Sequence, residues 1–421
     1  MDKFIIEGGH KLSGRVKVSG AKNAALAIMP ATLLNNGENE IFNVPEVNDI
    51  FTMIKLLREL GVEANYLDQK LALDTTNITS KHAPYEHVKK MRASVYVLGP
   101  LLTKYGFAKV SMPGGCAWGP RPINLHLEAM KKFGAEIELE GGDIIAKASR
   151  LNGAHINFDI SSVGATGNAL MAAVLAKGST LLQNAAKEPE ITNLCEFLVQ
   201  MGARIEGIGT SKLEIEGVDE LASTNTEIIG DRIEAGTLMI AGAITKSEIE
   251  LEYKNADNVD SIISKLQDSG AKVLVNKDLI KIDSRNLEIN SIDVTTAVYP
   301  GFPTDMQAQW IAYMTIAKET STVTDTIYLD RFNHVPELNR LGASIETANN
   351  SAIVKGVDQL RGAKVMSTDL RASASLVLAG LAAEGTTEVL RIYHLDRGYQ
   401  KIEEKLSLLG ANITRVSTTE F

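Results

Sequence analysis

One irregular segment, residues 111–122 (SMPGGCAWGPRP), carries the side chains best suited to covalent chemistry. It contains three of the chain's 11 prolines and three glycines, so it predicts a loop rather than a helix or a strand. Cys116 lies in this loop, close to Arg121. A nearby cation lowers the pKa of a thiol and favours the nucleophilic thiolate. Cys116 is therefore a candidate catalytic residue, although many loop cysteines have no function.

Charged residues at the starts of predicted helices indicate a second kind of chemistry, the binding of anions. Six segments rich in small apolar residues predict helices that are buried on all sides. Four of these segments have a cation near the start: Lys22, Arg92, Arg232 and Arg371. Helix N-termini present unpaired N–H groups and a positive dipole end, so we expect a site for phosphate or carboxylate. Three carboxylates at such starts have N-capping as an alternative role: Asp231, Asp305 and Asp369.

These helices belong to an internal repeat. An amphipathic helix, a glycine and a strand-like segment recur six times, with glycines spaced by 68 to 73 residues at Gly61, Gly134, Gly202, Gly270, Gly342 and Gly410. A glycine just past an amphipathic helix is typical of a C′ cap, because it adopts the left-handed conformation without steric cost. Each unit of about 70 residues therefore predicts the element order βαβαββ.

The ends of the chain indicate how the repeats close. Only 11 residues follow Gly410, whereas residues 1–21 contain strand-like sequence that no helix precedes, so we expect the N-terminus to complete the sixth repeat. With three repeats per lobe, the prediction is a first lobe at 22–229, which carries the loop at 111–122. The second lobe is discontinuous, at 230–421 plus 1–21, and the active site lies in the cleft between the lobes. A solenoid is the alternative, but solenoid repeats are usually shorter and need no strand from the far terminus.

The composition argues against several classes of function. The 421 residues include 43 Lys and Arg against 52 Asp and Glu, a net charge of −9 without a block of like charges. We therefore expect no binding to nucleic acid or to an anionic membrane. No apolar stretch is long enough to span a bilayer, and the N-terminal residues lack the apolar core of a signal peptide, so we expect a cytoplasmic protein.

The number and spacing of the cysteines and histidines argue against several further kinds of site. The chain has only two cysteines, which excludes a disulfide framework, and Cys195 lies in a predicted core helix. The seven histidines show no metal-ligand spacing, and no dinucleotide or phosphate-loop motif occurs. Neither a metal nor a cofactor is expected.

The motifs around the candidate residues resemble the UDP-N-acetylglucosamine 1-carboxyvinyltransferases, a family of enolpyruvyl transferases. They are SGAKNAALA with Lys22 and Asn23, GGCAWGPRPINLH with Cys116 and Arg121, SVGAT from Ser162, DRIEAGT with Asp231 and Arg232, FPTDMQAQ with Asp305, TDLRASASLVLAG with Asp369 and Arg371, and IYHLDRGY with Arg397. They follow one another in order along the whole chain. The resemblance implies a two-lobed inside-out α/β barrel with three repeats per lobe.

The resemblance also implies a reaction and the residues that perform it. The enolpyruvyl group of phosphoenolpyruvate passes to the 3′-hydroxyl of UDP-N-acetylglucosamine with release of phosphate, the first committed step of peptidoglycan synthesis. Cys116 matches the residue that protonates phosphoenolpyruvate, forms a covalent adduct with it and is alkylated by fosfomycin. Asp305 matches the residue that accepts or orients the hydroxyl proton. The residues that match the phosphoenolpyruvate site are Lys22, Asn23, Arg121 and Arg397.

The nucleotide-sugar site is also implied by the resemblance. Its residues are Arg92, Arg121, Pro122, Ile123, Asn124, Leu125, Ser162, Val163, Gly164, Asp305 and Ile327. Four more residues line the same cleft: Asp231, Arg232, Asp369 and Arg371. The chain has Ile160 where some members carry Lys, and Asn124 where many carry Asp. We expect these two changes to alter affinity for the nucleotide rather than abolish the reaction.

The alternative functions are a sister transferase reaction and the binding of a UDP-sugar without catalysis. The sister transferases that act on shikimate 3-phosphate share the six-repeat architecture but do not use a loop cysteine, so the GGCAWGPRP motif argues against them. A non-catalytic paralogue that binds a UDP-sugar would not need Cys116 and Asp305 together with the three phosphoenolpyruvate cations. The expected partners are the two small-molecule substrates, and no obligate protein partner is implied.

Overall fold

The structure, a computed structural model, describes residues 2–89, 91–112 and 123–420. The α-helices of these ranges are α1 Lys22–Ala31, α2 Asn48–Glu59, α3 Tyr85–Val88, α4 Leu98–Tyr105, α5 Asn124–Lys132, α6 Val163–Ala173, α7 Pro189–Gln200, α8 Arg232–Ile244, α9 Asp260–Asp268, α10 Gln307–Met314, α11 Val335–Arg340, α12 Leu370–Ala382 and α13 Ile402–Leu408. Short 3-10 helices occur at Thr32–Leu34, Arg92–Val97, Ala256–Val259, Thr304–Met306 and Ile392–Arg397.

The strands of the same ranges are short, mostly of five residues. They are β1 Asp2–Glu7, β2 Ser13–Lys17, β3 Glu38–Phe42, β4 Glu63–Leu67, β5 Lys70–Asp74, β6 His82–Ala83, β7 Phe107–Ser111, β8 Glu136–Glu140, β9 Asp143–Lys147, β10 His155–Asn157, β11 Ser179–Gln183, β12 Arg204–Glu206, β13 Lys212–Glu216, β14 Asn225–Glu227, β15 Glu248–Glu252, β16 Lys272–Asn276, β17 Leu279–Asp283, β18 Val294–Thr295, β19 Thr320–Thr324, β20 Ser344–Ala348, β21 Ser351–Lys355, β22 Lys364–Met366, β23 Thr386–Leu390 and β24 Asn412–Ser417.

Contacts along the chain divide it into two compact units. The central unit is Gly20–Ile229, and the split unit combines Met1–Ser19 with Gly230–Phe421. Each unit has a hydrophobic core of its own. The prediction of an active site between two lobes stays a prediction.

The strands of the described ranges form six four-stranded sheets with one topology. In each sheet an antiparallel pair of strands, which is a hairpin in five of the six, adds a third antiparallel strand that also pairs parallel with a fourth, as β8 and β9 do with β7 and β6. The central unit contains the orders β14-β3-β5-β4, β6-β7-β9-β8 and β10-β11-β13-β12. The split unit contains β16-β17-β15-β2, β18-β19-β21-β20 and β22-β23-β1-β24. The predicted six repeats and α/β fold class are confirmed.

The six repeat glycines have the backbone conformation that the sequence predicts. Their φ angles are all positive, from +89° at Gly342 to +108° at Gly202, and each follows the last turn of a helix. A side chain is strained at such angles, whereas glycine is not. The glycines therefore stop each amphipathic helix and turn the chain into the next strand.

Helices rich in small residues fill the centre of each unit. In the split unit α8, α10 and α12 pack on one another, and the strands of the three sheets contact their outer sides. Close packing requires the small residues, because a methyl group at Gly236 would lie 2.8 Å from Ile262 and 2.9 Å from Met306. This placement of helices inside and sheets outside is the inside-out barrel that the resemblance implies.

The two N-terminal strands join different sheets of the split unit. Strand β1 pairs antiparallel with both β23 and β24, so it completes the sixth repeat as predicted. Strand β2 instead pairs parallel with β15 and starts the fourth repeat, which corrects the expectation for the rest of this segment. In the same way, strand β14 of the central unit pairs parallel with β3 and starts the first repeat. The chain therefore passes between the units twice, next to residues 19–20 and 229–230.

Two isoleucines of β1 give a matched test of its central place in the sheet. Ile6 is fully buried in the core of the split unit, whereas Ile5 faces the other side of the strand and is half-buried. We expect Ile6→Ala to lower the free energy of unfolding by about 2–4 kcal/mol and Ile5→Ala by clearly less, because only the first leaves a cavity. Urea denaturation measures both. Equal losses would contradict the placement of β1.

Candidate active site

The predicted catalytic loop falls largely outside the described residues. Ser111 ends strand β7, and Cys116, Arg121 and Pro122 lie beyond the described part of the chain, so their roles stay predictions. The other cysteine, Cys195, is buried in α7 as predicted. Burial raises the pKa of its thiol to about 12, which keeps it protonated and unreactive.

Lys22 begins α1 and is held by a buried carboxylate. Its Nζ lies 3.0 Å from Oδ2 of Asp49, and the two side chains are only 11% and 6% exposed. Asp49 belongs to the first turn of α2, so the ion pair joins the starts of two helices. Asn23, the next residue of α1, is exposed. The ammonium group of Lys22 is thus fixed in position instead of moving freely in solvent.

Arg92 and His126 form a second polar cluster in the central unit. Arg92 begins a 3-10 helix and is half-buried, and His126 is buried in α5. Burial, together with the charge of Arg92, lowers the pKa of His126 to about 4, so its imidazole is neutral. Nδ1 of this ring lies 3.0 Å from Nδ2 of Asn168, which also donates to the carbonyl of Val95. Because the amide nitrogen can only donate, Nδ1 accepts and Nε2 carries the proton.

The Ser162–Gly164 segment lies against this imidazole at the start of α6. Ser162 caps the helix through an Oγ that accepts from the N–H of Ala165 at 3.3 Å. A methyl group at Gly164 would lie 3.1 Å from Cε1 and Nε2 of His126, tighter than ordinary contact. Glycine therefore allows the backbone of this segment to approach the ring closely.

The other predicted nucleotide-sugar positions of this unit are at or near helix starts. Ile123 precedes α5, Asn124 and Leu125 are its first residues, and Asn124 is exposed. Helices α5 and α6 are in contact, so the predicted residues on these two helices lie close together. Ile160, where some family members carry Lys, is exposed.

In the split unit, Asp305 lies between two guanidinium groups. Its Oδ1 accepts from Nη1 of Arg331 and its Oδ2 from Nη2 of Arg371, each at 2.8 Å. The arginine side chains are 8% and 5% exposed, whereas the side chain of Asp305 is 28% exposed. Burial alone would raise the pKa of Asp305, but the charges and hydrogen bonds of the two arginines hold it well below its usual range. Asp305 is therefore an ionised acceptor whose side chain is partly exposed.

The other two aspartates at helix starts are N-caps, which was the alternative for all three. Oδ1 of Asp369 accepts from the N–H groups of Arg371 and Ala372 at 2.8 and 3.2 Å, and Asp231 caps α8 in the same way. Asp305 differs because its 3-10 helix has no side-chain cap and both of its oxygens bind guanidinium groups. The capping interpretation is confirmed for two residues and wrong for Asp305.

The remaining candidates lie on separate elements of the split unit. Arg232 is the first residue of α8, and its guanidinium lies 5.8 Å from the ring of Tyr299. Arg397 ends a 3-10 helix and is half-buried. Ile327 is exposed, and its N–H donates to Oδ1 of Asp325 at 2.9 Å. Their direct roles in binding stay predictions.

Several structural partners of the candidate residues were missed from the sequence. They are Asp49, Asn168 and Arg331. Asp49 has the pattern of an ordinary acidic residue in a first helix turn. Asn168 carries no signal apart from being polar in a buried helix, and Arg331 follows strand β19 in an irregular segment without a motif.

Within the described residues, no group of three or more His, Cys, Asp or Glu side chains could hold a metal ion. None of the described helices combines the length and the apolar character needed to cross a membrane.

Comparison with known proteins identifies the family. A profile described as EPSP synthase (3-phosphoshikimate 1-carboxyvinyltransferase) matches residues 6–406. The UDP-N-acetylglucosamine 1-carboxyvinyltransferase of Chloroherpeton thalassium is 58% identical over 100% of this chain and 99% of its own length. The chain belongs to the UDP-N-acetylglucosamine 1-carboxyvinyltransferase family. Its relative of the same name in Chlorobium chlorochromatii is 56% identical over 100% of both chains.

Solved structures agree with this assignment to an enolpyruvyl transferase family. The enolpyruvyl transferase NikO from Streptomyces tendae superposes with a TM-score of 0.89 at 26% identity and covers 99% of both chains. EPSP synthase from Acinetobacter baumannii gives a TM-score of 0.77 at 17% identity, over 99% of this chain and 100% of its own, which shows the shared fold alone.

The neutral state of His126 gives a pH prediction for this family member. Its pKa is lowered from 6.5 to about 4 in the folded chain, so between these values only the unfolded chain takes up the proton. This group's contribution therefore makes stability fall as the pH drops from about 6.5 to about 4. Buried His334 also has a lowered pKa, so NMR of 15N-labelled imidazole groups should show more than one signal that is neutral well below pH 6.5. The signal of His126 is the one that disappears in His126→Gln, and it should stay neutral to about pH 4. If that signal titrates near pH 6.5, the imidazole is not buried as described.

Proposed function

We propose that this chain transfers the enolpyruvyl group of phosphoenolpyruvate to the 3′-hydroxyl of UDP-N-acetylglucosamine and releases phosphate. The observation that carries the proposal is 58% identity over the whole chain to a protein named for this reaction. The product enters peptidoglycan synthesis. We place the reaction in the cytoplasm, with the two small molecules as substrates and no nucleic acid, membrane or obligate protein partner.

The proposed chemistry assigns Asp305 to the acceptor hydroxyl. An ionised carboxylate with a depressed pKa is too weak a base to remove a proton from a resting sugar hydroxyl. It can accept the hydrogen bond of that hydroxyl and orient it. The proton becomes acidic only as the new carbon–oxygen bond forms, and at that stage a weak base is sufficient.

The donor substrate requires cations and an acid. Phosphoenolpyruvate carries a phosphate and a carboxylate, and we propose that Lys22, Arg121 and Arg397 bind these groups, with Asn23 as a further contact. The fixed position of Lys22 beside Asp49 supports this role, since an immobilised ammonium loses little entropy on binding. Cys116 supplies the proton to the methylene carbon and forms the covalent adduct.

The nucleotide sugar is proposed to bind along the starts of α5 and α6. Its contacts would be Arg92, Arg121, Pro122, Ile123, Asn124, Leu125, Ser162, Val163 and Gly164, with Asp305 and Ile327 from the split unit. The N–H groups of the Ser162–Gly164 segment can donate to an anionic ligand because they begin a helix. We assign Asp231, Arg232, Asp369 and Arg371 to the lining of the same site.

Acceptor specificity is the first test. We expect the purified chain to release phosphate from phosphoenolpyruvate when UDP-N-acetylglucosamine is present, and at background rate with shikimate 3-phosphate or with no acceptor. A coupled phosphate assay measures the rate. Release with shikimate 3-phosphate would favour the sister reaction, and no release with either acceptor would favour the non-catalytic paralogue.

The two cysteines provide a matched test of the acid. We expect Cys116→Ser to abolish the phosphoenolpyruvate adduct in intact mass spectra, whereas Cys116→Asp retains turnover because a carboxylic acid still donates a proton. Cys195→Ala is the control and should retain both adduct and turnover, since that thiol is buried and protonated. The assignment is wrong if Cys116→Ser keeps the adduct and the full rate.

A further inference from the structure

We infer that Arg415 is a positioning residue for the donor substrate. It holds the segment that carries Arg397 and thereby fixes the guanidinium group that is proposed to bind phosphoenolpyruvate. The inference deepens the proposed function and rests on the role of Arg397 in it. Arg415 lies in β24, the last strand of the chain, and neither the family motifs nor the sequence patterns single it out.

Arg415 binds carboxylates on both sides of Arg397 in the chain. Its Nη1 and Nη2 donate to Oδ2 and Oδ1 of Asp396 at 3.0 and 2.6 Å, and its Nε donates to Oε1 of Glu403 at 2.6 Å. Asp396 immediately precedes Arg397, and Glu403 lies in the first turn of α13. Asp396 cannot turn without breaking a charged hydrogen bond, because the pair is bidentate. The contact therefore restrains the backbone immediately before Arg397.

The guanidinium group of Arg415 is itself fixed to the start of the chain. Arg415 lies opposite Phe4 in the pairing of β24 with β1, and its guanidinium lies 5.1 Å from the centre of the Phe4 ring. Its Nη1 also lies 3.4 Å from Oδ2 of Asp2. A lysine at this position would keep the charge but not the planar fork that binds both oxygens of Asp396. The side chain is therefore a support built on the sheet and not a solvated cation.

The chain after Arg397 is anchored in the helical bundle. Tyr399 is 2% exposed, and its hydroxyl is hydrogen-bonded to Oγ1 of Thr237 at 2.9 Å and accepts from Nε2 of Gln309 at 3.2 Å. Arg397 thus lies between a residue fixed in the core and a residue fixed by Arg415. Loss of the arginine would leave only the anchor on one side, so the end of the 3-10 helix would change its orientation without unfolding.

Arg415 also neutralises carboxylates near Arg397. Asp2, Asp396 and Glu403 all bind its guanidinium group. Phosphoenolpyruvate is an anion, and a carboxylate without its cation beside Arg397 would repel the substrate and compete with it for the guanidinium. None of the proposed nucleotide-sugar contacts lies in β24, α13 or the 3-10 helix between them and β23. Loss of Arg415 should therefore weaken binding of the donor and spare binding of the acceptor.

The kinetic experiment compares Arg415→Gln and Arg415→Lys with a matched control. Arg285→Gln makes the same change at an arginine that binds both oxygens of Asp283 and also contacts Glu248, away from every proposed site residue in the sequence. We expect Arg415→Gln to raise the KM for phosphoenolpyruvate by about 5- to 50-fold, less than the roughly 100-fold that a 1 Å misplacement can cost. The KM for UDP-N-acetylglucosamine should stay the same, and Arg285→Gln should change neither value. A merely structural role would affect both substrates alike.

The expected pattern has clear contradictions. Arg415→Lys should recover only part of the loss, because it restores the charge without the fork. An unchanged KM for phosphoenolpyruvate in Arg415→Gln, equal rises in both KM values, or full rescue by lysine would overturn the inference.

Asp396→Asn tests the same contact from the other side. It keeps the size of the side chain and the arginine, so it also serves if Arg415→Gln does not fold. We expect it to raise the KM for phosphoenolpyruvate in the same direction, and the double variant to be no worse than Arg415→Gln alone, because both changes break one interaction. An unchanged KM in Asp396→Asn, or fully additive effects in the double variant, would contradict the role of the pair.

Hydrogen exchange separates failure of this inference from failure of the proposed function. Followed by mass spectrometry on the full chain, the amides of residues 395–400 should exchange faster in Arg415→Gln than in the wild type or in Arg285→Gln, whether or not the chain is active. An inactive wild type with this local change would reject the proposed function alone. An active wild type whose Arg415→Gln variant lacks the change would reject the role of Arg415.

Discussion

The structure depends on one packing constraint: each repeat contains a helix that is apolar on nearly every side, together with a small sheet that can cover only one side of it. A single repeat therefore cannot bury its own helix, but three sheets around three helices can. The helices must carry small side chains to pack in this arrangement, which explains the close approach of neighbouring side chains at Gly236. Polar side chains deep in the bundle of the split unit bind one another. The Thr237 hydroxyl, for example, is hydrogen-bonded to the Tyr399 hydroxyl and accepts from the Gln309 amide.

This constraint decides where charge can be placed. Most charged side chains of the buried helices lie at the helix starts, where they are still partly removed from water and therefore need partners. Lys22 with Asp49, and Asp305 with its two arginines, are two solutions to that requirement. The pairing holds each of these groups in a fixed position. The net charge of −9 is accordingly a poor guide to the proposed anionic substrates, which would meet a few fixed cations.

The sequence predicts the repeats well because their signals are local. Two such signals recur six times: the glycine that follows an amphipathic helix, and the helix rich in small apolar residues. The first follows from backbone conformation and the second from packing. Partners chosen by tertiary proximity leave no such signal. Arg331 lies in an irregular segment, and Asp49 looks like any acidic residue in a first helix turn. For the same reason the parallel pairing of β2 with β15 was not foreseen, since strand-like sequence does not specify a neighbour.

Because β1 lies between β23 and β24, the two units can complete their folding only at different times during synthesis on the ribosome. The central unit is one continuous stretch, so it can fold as soon as it has emerged. The first strand must wait for partners that follow more than 370 residues later. At roughly 5–20 residues per second, translation leaves it without them for about 20–75 seconds. During that interval its apolar face, with Phe4 and Ile6, is a surface that chaperones can hold.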